Sequence, residues 1–163
     1  MNVDLSEQIA IVTGASRGIG REIARVAAAA GAHVVLVART AGDVERVAAE
    51  IEAAGGHATA WPADITDPTA TAELVAGVAA RFGRIDILVN NAAATYVANV
   101  MMGKADRWRA VYELNVFALV NLTQAVLKHM IRRKQGRIIN VGSVSAELGA
   151  SYYSAYASSK AAV

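Results

Sequence analysis

Tyr156 and Lys160 stand four residues apart in Tyr156-Ala157-Ser158-Ser159-Lys160, and Ser143 precedes the tyrosine by thirteen positions. On a helix an i,i+4 pair shares one face, so the ammonium can lie beside the phenol. A free phenol has a pKa of about 10 and exchanges protons poorly near neutrality, whereas a neighbouring positive charge favours its ionised form. Bringing that value to about 7 takes roughly 4 kcal/mol, more than one lysine usually supplies. The same spacing also arises between ordinary surface neighbours. It becomes chemistry only where the rest of the chain builds a site around it.

The elements that would position this pair follow from an alternation of apolar runs and amphipathic stretches. Residues 9–13, 33–38, 57–61, 85–90 and 137–142 are short, mostly β-branched or apolar runs and predict five strands. Between them, Ile19, Ile23, Val26, Ala27 and Ala30 recur at helical spacing, as do Val44, Val47, Ala48 and Ile51, and then Leu74, Val75, Val78 and Phe82. A longer helix is expected over residues 106–133. Gly31, Gly55-Gly56, Gly83 and Gly136 follow the predicted helix ends, where glycine supplies a left-handed cap. Strands apolar on both faces and separated by helices imply an α/β fold with a doubly wound parallel sheet. Residues 1–163 read as one dinucleotide-binding domain, without linker, low-complexity tract or further repeat.

The first strand runs into Thr13-Gly14-Ala15-Ser16-Arg17-Gly18-Ile19-Gly20, within which the first helix opens. Glycines there allow a tight turn and close approach of backbone to a phosphate, and the helix start offers unpaired N–H groups. The spacing Gly-x-x-x-Gly-x-Gly lacks the Gly-Lys-Ser/Thr ending of a nucleotide-triphosphate loop. Glycines used only for tight packing are the plainer alternative. At the end of the second strand, where an acid would bond a ribose diol, the chain has Ala38-Arg39-Thr40. Arg39, with Arg17 in the glycine turn, suits a 2′-phosphate and favours NADP(H) over NAD(H), unless both arginines are simply solvated.

Taken together these residues resemble the short-chain dehydrogenase/reductase family over essentially the whole chain. Thr13-Gly14-x-x-x-Gly18-Ile19-Gly20 is similar to its cofactor turn, which also carries Ser16 and Arg17, and Asp64-Ile65 to its adenine-contacting segment. Asn90-Asn91-Ala92-Ala93 is similar to its Asn-Asn-Ala-Gly segment, and Asn115, Ser143, Tyr156 and Lys160 fall in the order of its catalytic tetrad. The resemblance implies a Rossmann-like sheet of order 3-2-1-4-5 and cofactor contacts from Gly14, Ser16, Arg17, Gly18, Ile19, Gly20, Arg39, Asp64, Ile65, Asn91, Ala92, Tyr156 and Lys160. Tyr156 would be the acid/base, Lys160 would tune it and bond the nicotinamide ribose, Ser143 would polarise the substrate carbonyl, and Asn115 would hold a relay water. Two of these residues also have plainer readings: Asn115 as a core amide satisfied by backbone, and Asp64 as a turn or cap residue ahead of Thr66-Asp67-Pro68. Ala93 stands where the family usually has glycine, which matters only if φ is positive. Tyr152 and Tyr153 have no lysine four residues on.

The remaining composition excludes other classes. The 163 residues carry a net charge of +2 and no cysteine, so thiolate chemistry, disulfides and thiolate metal sites are absent, and no metal is expected. The one basic run, Arg132-Arg133-Lys134, suits a helix C-terminus better than a nucleic-acid patch. No uninterrupted apolar run approaches about 18 residues, and the first residues lack a signal-peptide pattern. The expectation is a cytoplasmic protein without membrane or nucleic-acid partners. The resemblance implies NADP(H)-dependent interconversion of a carbonyl and a secondary alcohol, on a 3-oxoacyl thioester or another ketone, in a homo-dimer or homo-tetramer. Because the family continues beyond the Tyr/Lys helix, the substrate-covering part is expected to be missing here. A shortened, catalytically weak or inactive NADP(H)-binding or interaction module is the alternative. The apolar loop over residues 94–106 is a candidate pocket wall or mere packing.

Overall fold

The structure is a computed structural model that describes residues 3–163. Five parallel strands, β1 (Ile9–Thr13), β2 (His33–Ala38), β3 (His57–Pro62), β4 (Ile87–Asn90) and β5 (Arg137–Asn140), form one sheet in the order β3-β2-β1-β4-β5. The expected order is therefore observed. Helices α1 (Gly18–Ala29) and α2 (Ala41–Ala53) cover one face. The other is covered by α3 (Pro68–Phe82) and by a long helix made of α4 (Ala105–Tyr112), a π turn (Glu113–Ala118) and α5 (Leu119–Arg133). A short α6 (Ser154–Ala161) carries Tyr156 and Lys160.

The strand periodicity of two splits the core into two layers. Ala10, Val12, Val34, Leu36, Ile87 and Val89 point toward α1 and α2. Ile9, Ile11, Val35, Val37 and Leu88 point toward α3 and α5, where Leu74, Val78, Leu122 and Val126 meet them. The long helix has 29 residues and contains an 18-residue stretch with a mean hydropathy of 1.3, so it is long and apolar enough to cross a bilayer by length and composition alone. Its Ala118, Leu122, Val126 and Met130 instead pack on the sheet.

Several boundaries differ from the sequence expectation, each for a local reason. Helix α1 buries Gly20, Ala24 and Ala28 and leaves Ile19 and Val26 about two-thirds exposed, at 65% and 68%. The helix lies so close to the strand ends that a Cβ on Gly20 would collide with the Gly14 carbonyl, so only small residues fit beneath it. Its outer Ile19, Ile23 and Val26 line an apolar groove with Val3 and Leu5. The β4 strand starts at Ile87; just before it the Asp86 backbone still bonds Ile9 O (2.9 Å) and Arg137 N–H (2.8 Å), and its buried carboxylate accepts the Ile9 N–H (2.9 Å) and pairs with Arg84 and Arg133. Strand β5 stops at Asn140; Val141 N–H still bonds Asn90 O, while the Val141 carbonyl accepts from the Lys160 side chain. Gly31, Gly55 and Gly83 take positive φ as expected, but the long helix ends on Lys134 (φ +53°) and not on Gly136. Gly136 serves space instead, since a Cβ there would collide with Met130.

Candidate active site

The C-terminal ends of β1 and β4 are joined by one hydroxyl. Buried Thr13 Oγ1 donates to Val89 O (3.2 Å) and accepts the N–H groups of Asn91 (3.0 Å) and Ala92 (3.1 Å). That uses the one donor and two acceptor positions a hydroxyl has. Asn91 Nδ2 answers with bonds to the carbonyls of Thr13 (2.9 Å) and Gly14 (3.3 Å). Gly14 adopts φ +64°, and a Cβ there would lie 2.8 Å from Asn91 Nδ2. The turn then enters α1 through Arg17, which is extended and gives no side-chain cap. The first N–H groups of α1 are thus left for an anion, which the helix dipole also favours.

Around this turn opens a groove of about 910 Å³. Gly14, Ser16, Arg17, Gly18, Ile19, Gly20, Arg39, Asp64, Ile65, Asn91 and Ala92 all line it. Arg17 and Arg39 are exposed at its rim. Asp64 Oδ1 accepts the backbone N–H (3.0 Å) and hydroxyl (2.7 Å) of Thr66, so it does organise a turn, while the cap of α3 comes from Asp67 through Thr69 N–H (2.8 Å). Partial burial pushes the Asp64 carboxyl up, but the Thr66 bonds and the Arg39 charge outweigh it and hold the group below the usual carboxylate range. Ala93 does not take a positive φ, so its methyl meets no backbone penalty. The groove therefore fits a dinucleotide: a glycine cradle that a side chain would fill, unpaired helix N–H groups for a pyrophosphate, and two cations at the rim.

The other four residues gather beyond the ends of β4 and β5. Val141 N–H bonds Asn90 O (2.9 Å), which brings the residues after β5 beside the Asn91–Ala92 segment. Ser143 is extended and caps a short 3-10 turn (Val144–Ala146), its Oγ accepting Ser145 N–H (3.2 Å). Lys160 is almost fully buried, and its Nζ donates to Val141 O at 2.6 Å. Burial pushes its ammonium below the usual lysine range. Tyr156, one turn earlier, is partly exposed, and its ring packs edge-on against Tyr153 with centroids 6.5 Å apart. Among the described residues its hydroxyl bonds neither Ser143 nor Lys160.

Asn115 sits in the π turn, buried at 1% exposure. Its Oδ1 accepts Ala94 N–H (2.8 Å), and its Nδ2 donates to Ala94 O (3.0 Å) and to Ser159 Oγ (2.9 Å). The side chain is thus a core amide satisfied largely by backbone, at the place where the loop after β4, the long helix and α6 meet. The loop is fastened a second time through Ala98 N–H to Tyr152 O (2.9 Å). Tyr152 holds φ +69°, a left-handed conformation that costs a bulky residue on the order of 1–3 kcal/mol. Sequence reasoning passed over Thr13 as a side chain, Ser159, and the Val141 carbonyl. The first two are polar residues inside otherwise apolar or small-residue stretches, a signal that was available; a backbone acceptor leaves none.

The description short chain dehydrogenase belongs to the family model that matches residues 8–163. The chain is 43% identical over 159 residues to a fatty acyl-CoA reductase of Acinetobacter baylyi, covering 96% of this chain and 54% of that protein. It is 40% identical to a 3-oxoacyl-[acyl-carrier-protein] reductase of Synechocystis sp., over 98% of this chain and 65% of the relative. A metagenomic short-chain oxidoreductase solved in complex with NADP superposes with a TM-score of 0.93 at 40% identity, covering 96% of this chain and 72% of that one. A gluconate 5-dehydrogenase from Burkholderia cenocepacia, in complex with NADP and tartrate, gives a TM-score of 0.93 at 35% identity, over 99% of this chain and 63% of that one. The chain spans 54% and 65% of the two curated relatives' own lengths.

Proposed function

Because the chain belongs to the short-chain dehydrogenase family, we propose that it binds NADP(H) in the groove and interconverts a carbonyl and a secondary alcohol. The observation that carries this reading is the seating of Lys160, buried and bonded at 2.6 Å to the carbonyl just past β5, one helical turn from Tyr156. Few folds bury a lysine without a carboxylate partner, because burial penalises its charge. The seat is next to the residues that line the groove, and this chain's relatives in complex with NADP share its fold.

When bound, NADP(H) supplies or takes up the hydride. The backbone N–H groups at the start of α1 and the glycine turn would hold the pyrophosphate, Asp64 and Ile65 the adenine side, and Asn91 and Ala92 the middle of the groove. Arg39 and Arg17 favour the 2′-phosphate, since a guanidinium pairs with it in a forked arrangement. Tyr156 gives or takes the proton at the substrate oxygen, and Lys160 contributes the positive charge behind it and a donor for the nicotinamide ribose. Ser143 Oγ bonds the substrate oxygen where negative charge develops. Asn115 fixes the loop and helix around them and takes part in holding a relay water.

A ketone with an apolar chain, such as a 3-oxoacyl thioester, suits the site best. Val97, Val100, Met101 and Met102 on one loop, and Val144, Leu148 and Tyr152 on the other, present exposed apolar side chains beside it. Homo-dimers or homo-tetramers would form through the outer face of the long helix, where Phe117, Val120 and Ile131 are exposed. Cofactor binding with little turnover is the second reading; it is favoured by the Tyr156 hydroxyl, which among the described residues bonds neither Ser143 nor Lys160. The deciding experiment combines NADPH titration with NADPH oxidation against a 3-oxoacyl thioester, a steroid-like ketone and a small ketone. Tyr156→Phe should bind NADPH as the parent does and lose nearly all turnover, by roughly 100- to 10,000-fold for a lost acid/base. A variant that keeps most of its rate removes Tyr156 from the chemistry.

A further inference from the structure

We propose that Ser159 is a positioning residue that sets the orientation of Tyr156, an inference that rests on the catalytic reading of Tyr156 above. Ser159 is fully buried. Its Oγ donates to the Tyr156 carbonyl (2.7 Å) and accepts from Asn115 Nδ2 (2.9 Å). Asn115 in turn holds both backbone groups of Ala94. A continuous run of hydrogen bonds therefore leads from the loop after β4, through the π turn, to the backbone of the tyrosine itself.

Among the described residues, this hydroxyl is the side-chain hydrogen-bond partner that links α6 to the long helix. Helix α6 is eight residues long, and so short a helix draws its order from tertiary contacts. Two adjacent side chains provide its polar anchors. Lys160 ties it to the end of β5 through Val141 O, and Ser159 ties it to the long helix through Asn115. One anchor leaves a short helix free to turn about that point; two on neighbouring residues define its rotation. Ser158, by contrast, bonds only the carbonyls of Ser154 and Ala155 in its own helix, so it can be exchanged without loosening either anchor. Without the Ser159 hydroxyl, Asn115 Nδ2 would lose an acceptor in a place water does not reach, and the helix would rotate or shift to satisfy it.

Ser159→Ala should lower kcat for NADPH-dependent reduction of an acetoacetyl thioester roughly 10- to 100-fold, with KM for NADPH within about twofold, as misplacement of a reacting group predicts. Ser159→Thr, which keeps Oγ, should recover most of that rate. In protein labelled with ¹³Cζ-tyrosine, the Tyr156 resonance, identified by its loss in Tyr156→Phe, should move in Ser159→Ala and return in Ser159→Thr. This resonance needs no turnover: a protein that reduces no carbonyl would count against the proposed function, while the shift still decides the role of Ser159. Where Ser159→Ala does not fold, Ser159→Cys, a weaker donor of similar size, should show a smaller displacement of the same resonance. A folded Ser159→Ala or Ser159→Cys protein with parental kcat, or with an unmoved Tyr156 resonance, overturns the proposal.

Discussion

Thr13→Val tests whether the groove is held open by the hydroxyl that joins β1 to β4. The substitution keeps the shape of the side chain and removes one donor and two acceptor positions. Three bonds disappear: to Val89 O, from Asn91 N–H and from Ala92 N–H. A typical bond contributes about 1 kcal/mol, and a buried group left unpaired costs about 1–3 kcal/mol. Val89 is buried, so its carbonyl takes the larger value, whereas Asn91 and Ala92 are only partly buried and regain some solvation. The loss in unfolding free energy should be about 3–5 kcal/mol, read from urea denaturation followed by circular dichroism. NADPH affinity should fall as well, because Asn91 and Ala92 line the groove, and Thr13→Ser should restore both quantities. A Thr13→Val protein within about 0.5 kcal/mol of the parent, the size of an ordinary surface substitution, would refute the reasoning.

Two other predictions concern charge. Asp86→Ala should destabilise the fold by about 3–5 kcal/mol, the cost of breaking a buried ion pair, and Asp86→Asn by less, because it keeps an acceptor for Ile9 N–H. Burial raises the Asp86 carboxyl, but the bonds from Arg84, Arg133 and Ile9 N–H outweigh it and hold it below the usual range. A lowered folded pKa means stability that is present above the unfolded value of about 3.9 and lost as pH falls through the folded value; denaturation at pH 7 and in that acid range should show the parent losing its advantage over Asp86→Asn. Arg39→Ala should weaken NADPH binding roughly tenfold or more, since a charge-assisted bond contributes about 1.5–3 kcal/mol, and leave NADH nearly unchanged. Equal losses for the two cofactors in a fluorescence titration would remove Arg39 from 2′-phosphate recognition.

The sheet was legible because its three central strands, β2, β1 and β4, are buried on both faces. The continuous apolar runs of β1 and β2 left no other assignment, and the helix between each pair of strands dictated parallel pairing. What escaped was decided by short-range contacts. The apolar periodicity of Ile19, Ile23 and Val26 marks a real stripe on α1, yet the tight glycine turn leaves room only for Gly20, Ala24 and Ala28 against the sheet. Lys134 takes the left-handed position because the helix ends before Gly136, which Met130 needs for space. The candidate site residues could be picked out by type and spacing, but not their partners. The Val141 carbonyl has no side chain to signal its role, and the sequence assigns no partner to Ser159 between Tyr156 and Lys160.

The π turn at Glu113–Ala118 makes the long helix a single rod with two phases. An extra residue in a turn displaces everything before it by about 100° relative to an unbroken α-helix. The α5 half is thereby committed to the sheet, through Leu122, Val126 and Met130, while the α4 half faces α6. Chain length within that turn is thus a design variable in its own right. Removing one residue there could preserve every helical hydrogen bond and the whole apolar composition, and still swing one half of the rod off its partner. Tolerance of this segment to substitution and its tolerance to deletion are separate properties: a substitution removes one side chain's contacts, whereas a deletion changes how the two halves of the rod are aligned.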